Sequence, residues 1–142
     1  MLMVDMVLRV DEQSVETEFE IKGDNIFVQD GTFTESGLIE NAAQTCSAVV
    51  ARDFFAEINS QDKTEPEIVG FISSIKSLKI HGLPRVGDHI STKAVLVSKF
   101  VTDDYSLCTM NCQTFSNEEL LLEGDINLFI QDIIKMSPLN NS

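Results

Sequence analysis

At 142 residues, 43% hydrophobic and 23% charged, the chain has the length and balance of one folded domain and not of a disordered segment. A formal charge of −13 repels nucleic acid and anionic lipid, and no apolar run approaches the roughly 20 residues of a bilayer span, so neither partner is expected. Three cysteines without paired spacing, and no basic-apolar-small leader pattern, make a reducing cytoplasm the expected location.

Residues 4–10 alternate, with Val4, Met6, Leu8 and Val10 on one face and Asp5 and Arg9 on the other, which predicts a half-buried strand. After the polar turn Asp11-Glu12-Gln13-Ser14 the alternation resumes as Val15, Thr17, Phe19 and Ile21 against Glu16, Glu18, Glu20 and Lys22. The two strands are expected to form a hairpin. Gly23-Asp24-Asn25 ends the pattern, and residues 27–31 lead into a loop.

Over residues 34–55 the period becomes helical, with Leu38, Ile39, Ala42, Ala43, Cys46, Val49, Val50 and Phe54 at spacings of three and four. Thr32 followed by Glu35 fits a capping box. The other face is small and largely uncharged (Gln44, Ser47, Ala48, Ala51), so protein is expected to cover most of the helix. A polar loop at 60–66 leads to four predicted strands over 67–80, 89–100, 105–115 and 120–130, joined by turns at 83–88, 102–104 and 116–118. Residues 1–130 then form one domain, with a frayed tail over 131–142. Two strands, one buried helix and a run of antiparallel strands predict an α+β architecture, a curved sheet wrapped around the helix.

Half of the chain's ten basic residues, Lys76, Lys79, Arg85, Lys93 and Lys99, lie in a stretch whose single acid is Asp88. Such a run ordinarily keeps strand faces wet; its alternative use is docking of an acidic partner. Cys46 sits on the apolar helix stripe and Cys108 and Cys112 share a strand face, so buried structural thiols are expected, with no metal site and no cofactor.

Three segments carry a resemblance. Residues 1–8, Met-Leu-Met-Val-Asp-Met-Val-Leu, look like the first strand of bacterial 3-hydroxyacyl-acyl-carrier-protein dehydratases. Gly37-Leu38-Ile39-Glu40-Asn41-Ala42-Ala43-Gln44 is similar to that family's helix signature, an acidic residue followed four positions later by Gln. Val69-Gly70-Phe71-Ile72 and Gly82-Leu83-Pro84-Arg85-Val86-Gly87-Asp88 look like a strand and turn shared by hot-dog dehydratases and thioesterases. The short loop before the helix resembles the aryl-polyene-type branch. The resemblance covers nearly the whole chain and implies the hot-dog fold and an acyl-thioester substrate, carried by acyl carrier protein or CoA.

It also implies site residues. Glu40 matches the catalytic carboxylate, and Gly37, Leu38, Gln44, Gly70 and Phe71 fall where substrate would lie. The family's His-Phe-Pro-Gly loop is replaced here by Asp30-Gly31-Thr32-Phe33-Thr34, and the segment with Pro and His that often precedes the first strand is not in this sequence. His81 and His89 match no catalytic position. Dehydration removes a proton beside the carbonyl and protonates the leaving hydroxyl, which takes a base and an acid. Glu40 serves one role, a backbone N–H near Gly37 or Leu38 would hold the carbonyl, and Asp30 or a group from outside the chain would serve the other. Three functions stay open: a dehydratase of fatty-acid or polyene lipid synthesis, a silent hot-dog partner subunit, and a one-carboxylate acyl thioesterase. An open sheet edge and an unfinished tunnel predict a homodimer, and Lys76, Lys79, Arg85 and Lys93 are the expected docking surface for acyl carrier protein.

Overall fold

The structure, a computed structural model, describes residues 2–11, 13–60 and 69–132; the side chains of 50–60, 69–72 and 132 lie outside that description. Strands β1 (Met6–Val10) and β2 (Ser14–Glu20) form the expected hairpin. A two-residue pair, β3 (Val28–Gln29) and β4 (Thr32–Phe33), precedes the helix α1 (Glu35–Ser60). Four long strands follow, β5 (Val69–Ile80), β6 (His89–Val101), β7 (Tyr105–Ser116) and β8 (Glu119–Asp132). They join the first hairpin in one antiparallel sheet of order β1-β2-β6-β7-β8-β5. β8 runs to Asp132, two residues into the tail expected at 131–142, and Ser60 of the loop expected at 60–66 ends α1; the rest of that loop and of that tail lie outside the described residues.

One face of this sheet packs on α1. Val15, Thr17 and Phe19 of β2 pair in register with Ala94, Thr92 and Ile90 of β6, and all six are buried. Cys108, Met110, Cys112 and Thr114 of β7, with Leu122, Ile126, Leu128 and Ile130 of β8, continue that inner surface. From the helix Leu38, Ala42, Cys46 and Val49 descend onto it at spacings of three and four.

Two local readings are corrected. A bulge between Val7 and Arg9 breaks the alternation of β1, so Met6 and Arg9 share the outer face with Glu18 and Glu16, while Val7 and Val10 pair with the inward Thr17 and Val15. The helix cap is Thr34, whose Oγ1 accepts the Gly37 amide at 3.4 Å, and not Thr32, which pairs with Gln29 in β4.

The outer face carries a row in register across all six strands: Arg9, Glu16, Lys93, Gln113, Glu123 and Lys79. Opposite charges directly across strands stabilise such a face by a few tenths of a kcal/mol per pair, about 0.2–1.

Candidate functional site

The site is built at the start of α1. Gly37 brings the helix down on two aromatic rings: a Cβ there would meet the Phe33 ring at 2.6 Å and Phe27 Cβ at 2.9 Å. Phe33 packs edge-on to Phe27 and tilted against Phe19, which fixes the height and direction of the first turn. One turn further on, Glu40 projects into solvent from the side of the helix that the sheet leaves uncovered.

Gln44 lies four residues later on the same face, and its amide donates to Glu40 Oε1 at 3.1 Å. Its own oxygen accepts the Met3 amide at 2.7 Å. Asn41 completes the clamp: its Nδ2 donates to the Met3 carbonyl at 2.7 Å, and its Oδ1 accepts Thr92 Oγ1 at 2.7 Å. The Thr92 hydroxyl is 2.8 Å from that of Thr114, and Thr45 pairs with Thr17 at 2.8 Å in the adjoining turn. Met3 is fully buried, and Asn25 Nδ2 reaches its sulfur at 3.6 Å. The carboxylate therefore stands on a hydrogen-bonded platform of helix, N-terminal segment and sheet.

The other expected site residues are placed around this platform as follows. Gln44 is half-buried, with its amide nitrogen on Glu40 and its oxygen on the Met3 amide. Leu38 is a core residue whose amide donates to the Thr34 carbonyl at 3.1 Å, and the Gly37 amide points to the Thr34 hydroxyl, both part of the helix start. Asp30 is exposed at the tip of the β3–β4 hairpin, with φ of 53° before Gly31 at 77°, the two-residue turn that Asp-Gly favours. Its residue type is accounted for by that turn. Gly70 and Phe71 pair with Gln131 and Ile130 on β8, and the Phe71 side chain lies outside the described residues.

The histidines lie on the opposite face of the sheet from Glu40. His89 is the register partner of Glu20, while the neighbouring Phe19–Ile90 pair points inward. His81 Nε2 is 2.9 Å from Glu123 Oε2, a member of the outer row. The four proposed docking cations are dispersed as well. Lys93 on β6 and Lys79 on β5 are three strand spacings apart, about 14 Å, with Gln113 and Glu123 between them. Lys76 sits in the bulge between Ile75 and Ser77, and the Arg85 amide is bound by Asp88 in the turn preceding β6. A shallow depression of about 180 Å³ bordered by Arg9, Glu16, Lys93 and Val95 lies on the outer face, away from Glu40.

Sequence reasoning singled out Glu40 but missed the buried Asn41 and Thr45, whose partners are 51 and 28 residues away. Two polar residues interrupting the apolar stripe at spacing four, Asn41 and Thr45, were the available signal. Among the described residues no cluster of three or more His, Cys, Asp or Glu side chains is placed to hold a metal, and no helix is long and apolar enough to cross a membrane.

A six-stranded antiparallel sheet of this order curled around one helix defines the hot-dog class. A chain of the dehydratase heterocomplex ApeI:P from Xenorhabdus doucetiae superposes with a TM-score of 0.71 at 12% identity, covering 95% of this chain and 88% of that one. A hypothetical thioesterase from Streptococcus pneumoniae solved with coenzyme A gives 0.63 at 12% identity over 89% and 85%. A mutant of the phenylacetic acid degradation protein PaaI from Thermus thermophilus gives 0.60 at 13% identity over 89% and 91%. A search of curated proteins returned no match. The ApeP-like family, described as ApeP dehydratase, matches residues 1–138, and the chain belongs to it.

Proposed function

We propose that this protein is one subunit of an acyl-thioester dehydratase, contributing Glu40 to a site whose second proton-transfer group comes from another hot-dog subunit. The observation that carries this reading is the placement of the titratable groups. Glu40 is oriented by Gln44 on the open side of the helix, whereas both histidines belong to the far face of the sheet. A dehydration needs two such groups around one substrate, so a lone oriented carboxylate is half of a site.

The missing half has a place to come from. β5 is a twelve-residue edge strand, and Ser73 and Ile75 on its inward face are exposed although their register partners Leu128 and Ile126 are buried. A second subunit pairing there would extend the sheet and set its own helix-start beside Glu40. A second copy would satisfy the edge; a different subunit with a histidine before its helix would also satisfy the chemistry, and the heterocomplex formed by the structural relative favours it. The substrate is a 3-hydroxyacyl chain on acyl carrier protein or CoA, and the expected compartment is the reducing cytoplasm.

The test follows interconversion of crotonyl and 3-hydroxybutyryl carrier protein by the purified chain, alone and co-purified with a histidine-bearing hot-dog dehydratase subunit. Alone, turnover is expected on the order of a hundred- to ten-thousandfold below that of the pair, and Glu40→Gln should abolish the pair's activity. Ordinary rates from the chain alone would overturn the shared site, and a fully active Glu40→Gln pair would overturn the role of Glu40. Release of free thiol from acyl-CoA without any dehydration would instead establish a thioesterase.

A further inference from the structure

The outer face of the sheet is not uniformly polar. A sheet face turned to water is expected to carry polar side chains, and the charged row through Lys93, Gln113 and Glu123 does so. The next two rows along β7 are polar and bonded among themselves: Asn111 Nδ2 donates to Asp125 Oδ1 at 3.0 Å, and Thr109 Oγ1 to Asn127 Oδ1 at 2.8 Å. Beyond them the pattern changes. Phe100 of β6, Leu107 of β7 and Phe129 of β8 are consecutive register partners, and Tyr105 stacks on Phe129 with ring centroids 5.0 Å apart. Their sequence neighbours Cys108, Leu128 and Ile130 are buried on the inner face, so this apolar stripe points away from α1 and from Glu40.

The stripe is open to solvent. Phe100 is 60% exposed and Leu107 36%, with Val97 at 63% and Val95 at 45% beside them on β6. β2 does not reach that far, because its first residue, Ser14, pairs with Val95. Together these side chains present a patch of roughly 400 Å², the scale at which the largest apolar patch of a monomer is often functional. The stripe itself holds no carboxylate, which favours self-association there in a chain of formal charge −13.

We propose that this stripe is a contact between copies of the chain, through which two pairs joined at β5 pack back to back across their outer faces. Area selects that occupant. Two single chains packed stripe to stripe about a two-fold axis would remove about 800 Å² in all, short of the roughly 1,200–2,000 Å² of a stable interface. The row of the stripe continues to β5, where Ile72 is the register partner of Phe129, so a pair joined at β5 carries two stripes on one continuous outer face. Two such pairs bring about 1,600 Å² together, the standard size for a specific contact. The proposal rests on the β5 reading for the number of stripes gathered, and the two are tested by different substitutions.

The test is sedimentation of the full-length chain across a concentration series, beside Phe100→Asp, Phe100→Leu, Ile75→Lys and Val86→Asp. Each of these residues is exposed, so the variants are expected to fold. The parent should form a four-chain species. Phe100→Asp should leave two-chain units, with the association of pairs weakened on the order of a hundredfold, and Phe100→Leu should retain it. Ile75→Lys should yield single chains, because one stripe is too small to hold two. Val86→Asp places the same charge in the turn before β6 and should leave the four-chain species intact. A parent that stops at two chains, with Phe100→Asp indistinguishable from it, would overturn the stripe and leave β5 pairing standing. So would a four-chain species that survives Phe100→Asp or is lost equally in Val86→Asp. A two-chain species lost in Phe100→Asp and kept in Ile75→Lys would uphold the stripe as a contact between copies and overturn β5 pairing instead. If Phe100→Asp assembles as the parent does but loses affinity for acyl carrier protein, the stripe belongs to that partner and the proposal fails.

Discussion

The two edges of the sheet meet the same physical problem, unpaired strand backbone, and are built differently. β1 is five residues long, bulged, and exposed along its whole length, with Met6, Val7, Leu8 and Val10 all presenting apolar surface. The chain entering it is fastened by its backbone: Met3 to Asn41 and Gln44, Asp5 to Glu18, and Glu20 back to the Asp5 carboxylate. β5 is twelve residues long, and α1 leaves its inward Ser73 and Ile75 uncovered. Length and an uncovered inner face, more than apolar content, make an edge a template for another strand. β1 is a blunted edge and β5 an open one.

The largest effect is expected where β5 is attached. Gly124 of β8 has φ of 147°, and a Cβ on it would fall against the Ser77 carbonyl and Leu78 Cα, both backbone atoms of β5. Neither can move without parting the two strands. Gly124→Val should therefore cost on the order of 4 kcal/mol or more, read as a fall in melting temperature above about 10 °C or as failure to fold. A variant as stable as the parent would show that the β5–β8 pairing tolerates displacement and that β5 is not a rigid edge.

How much of this was legible follows from the range of the interactions. In β2 the faces of Val15, Thr17 and Phe19 were read correctly, because alternation is local and nothing interrupts it. In β1 the same rule put Met6 on the wrong face, because a bulge shifts the period and leaves no mark in composition. Glu40 was singled out through a motif, and its spacing to Gln44 correctly put both on one helix face. The meaning of Gln44 was not legible, since it depends on Met3, 41 residues away. Asn41 looked like an ordinary helix residue; its burial is understandable only with Met3 and Thr92 in place, each satisfying one end of the amide. The cation cluster looked continuous in sequence and is not so in space, because β7 and β8 come between β6 and β5.

The comparison of edges sharpens into a paired experiment on association. Ile75 is 54% exposed on the inward side of β5 and Leu8 is 45% exposed on β1, so Lys at either position is tolerable in the free chain. If β5 is the pairing edge, Ile75→Lys buries a charge at the subunit contact and should weaken association on the order of a hundredfold, followed by sedimentation across a concentration series. Leu8→Lys should leave association unchanged. The reverse pattern would move the interface to β1 and with it the proposed source of the second catalytic group.

The smallest effect concerns the cations. Lys79 near the end of β5 faces Glu123, and Lys93 is set in register with Glu16, so much of their charge is answered within the sheet. We expect an acidic acyl carrier protein to gain only modest steering from them, because exposed ion pairs contribute about 0–1 kcal/mol and are screened by salt. Reversal of Lys79 and Arg85 together to Glu also places new acids near Glu123 and Asp88, so carrier-protein affinity should fall several-fold at low salt and less at high salt. Arg9→Glu on the blunted edge, where the partner Glu16 is likewise in register, serves as the matched control and should leave affinity unaltered. Equal losses from both substitutions would mean that the carrier responds to net charge and not to β5. Unchanged affinity in the double variant would leave Lys79 as a rung of the outer-face ladder and remove the carrier protein from this side of the molecule.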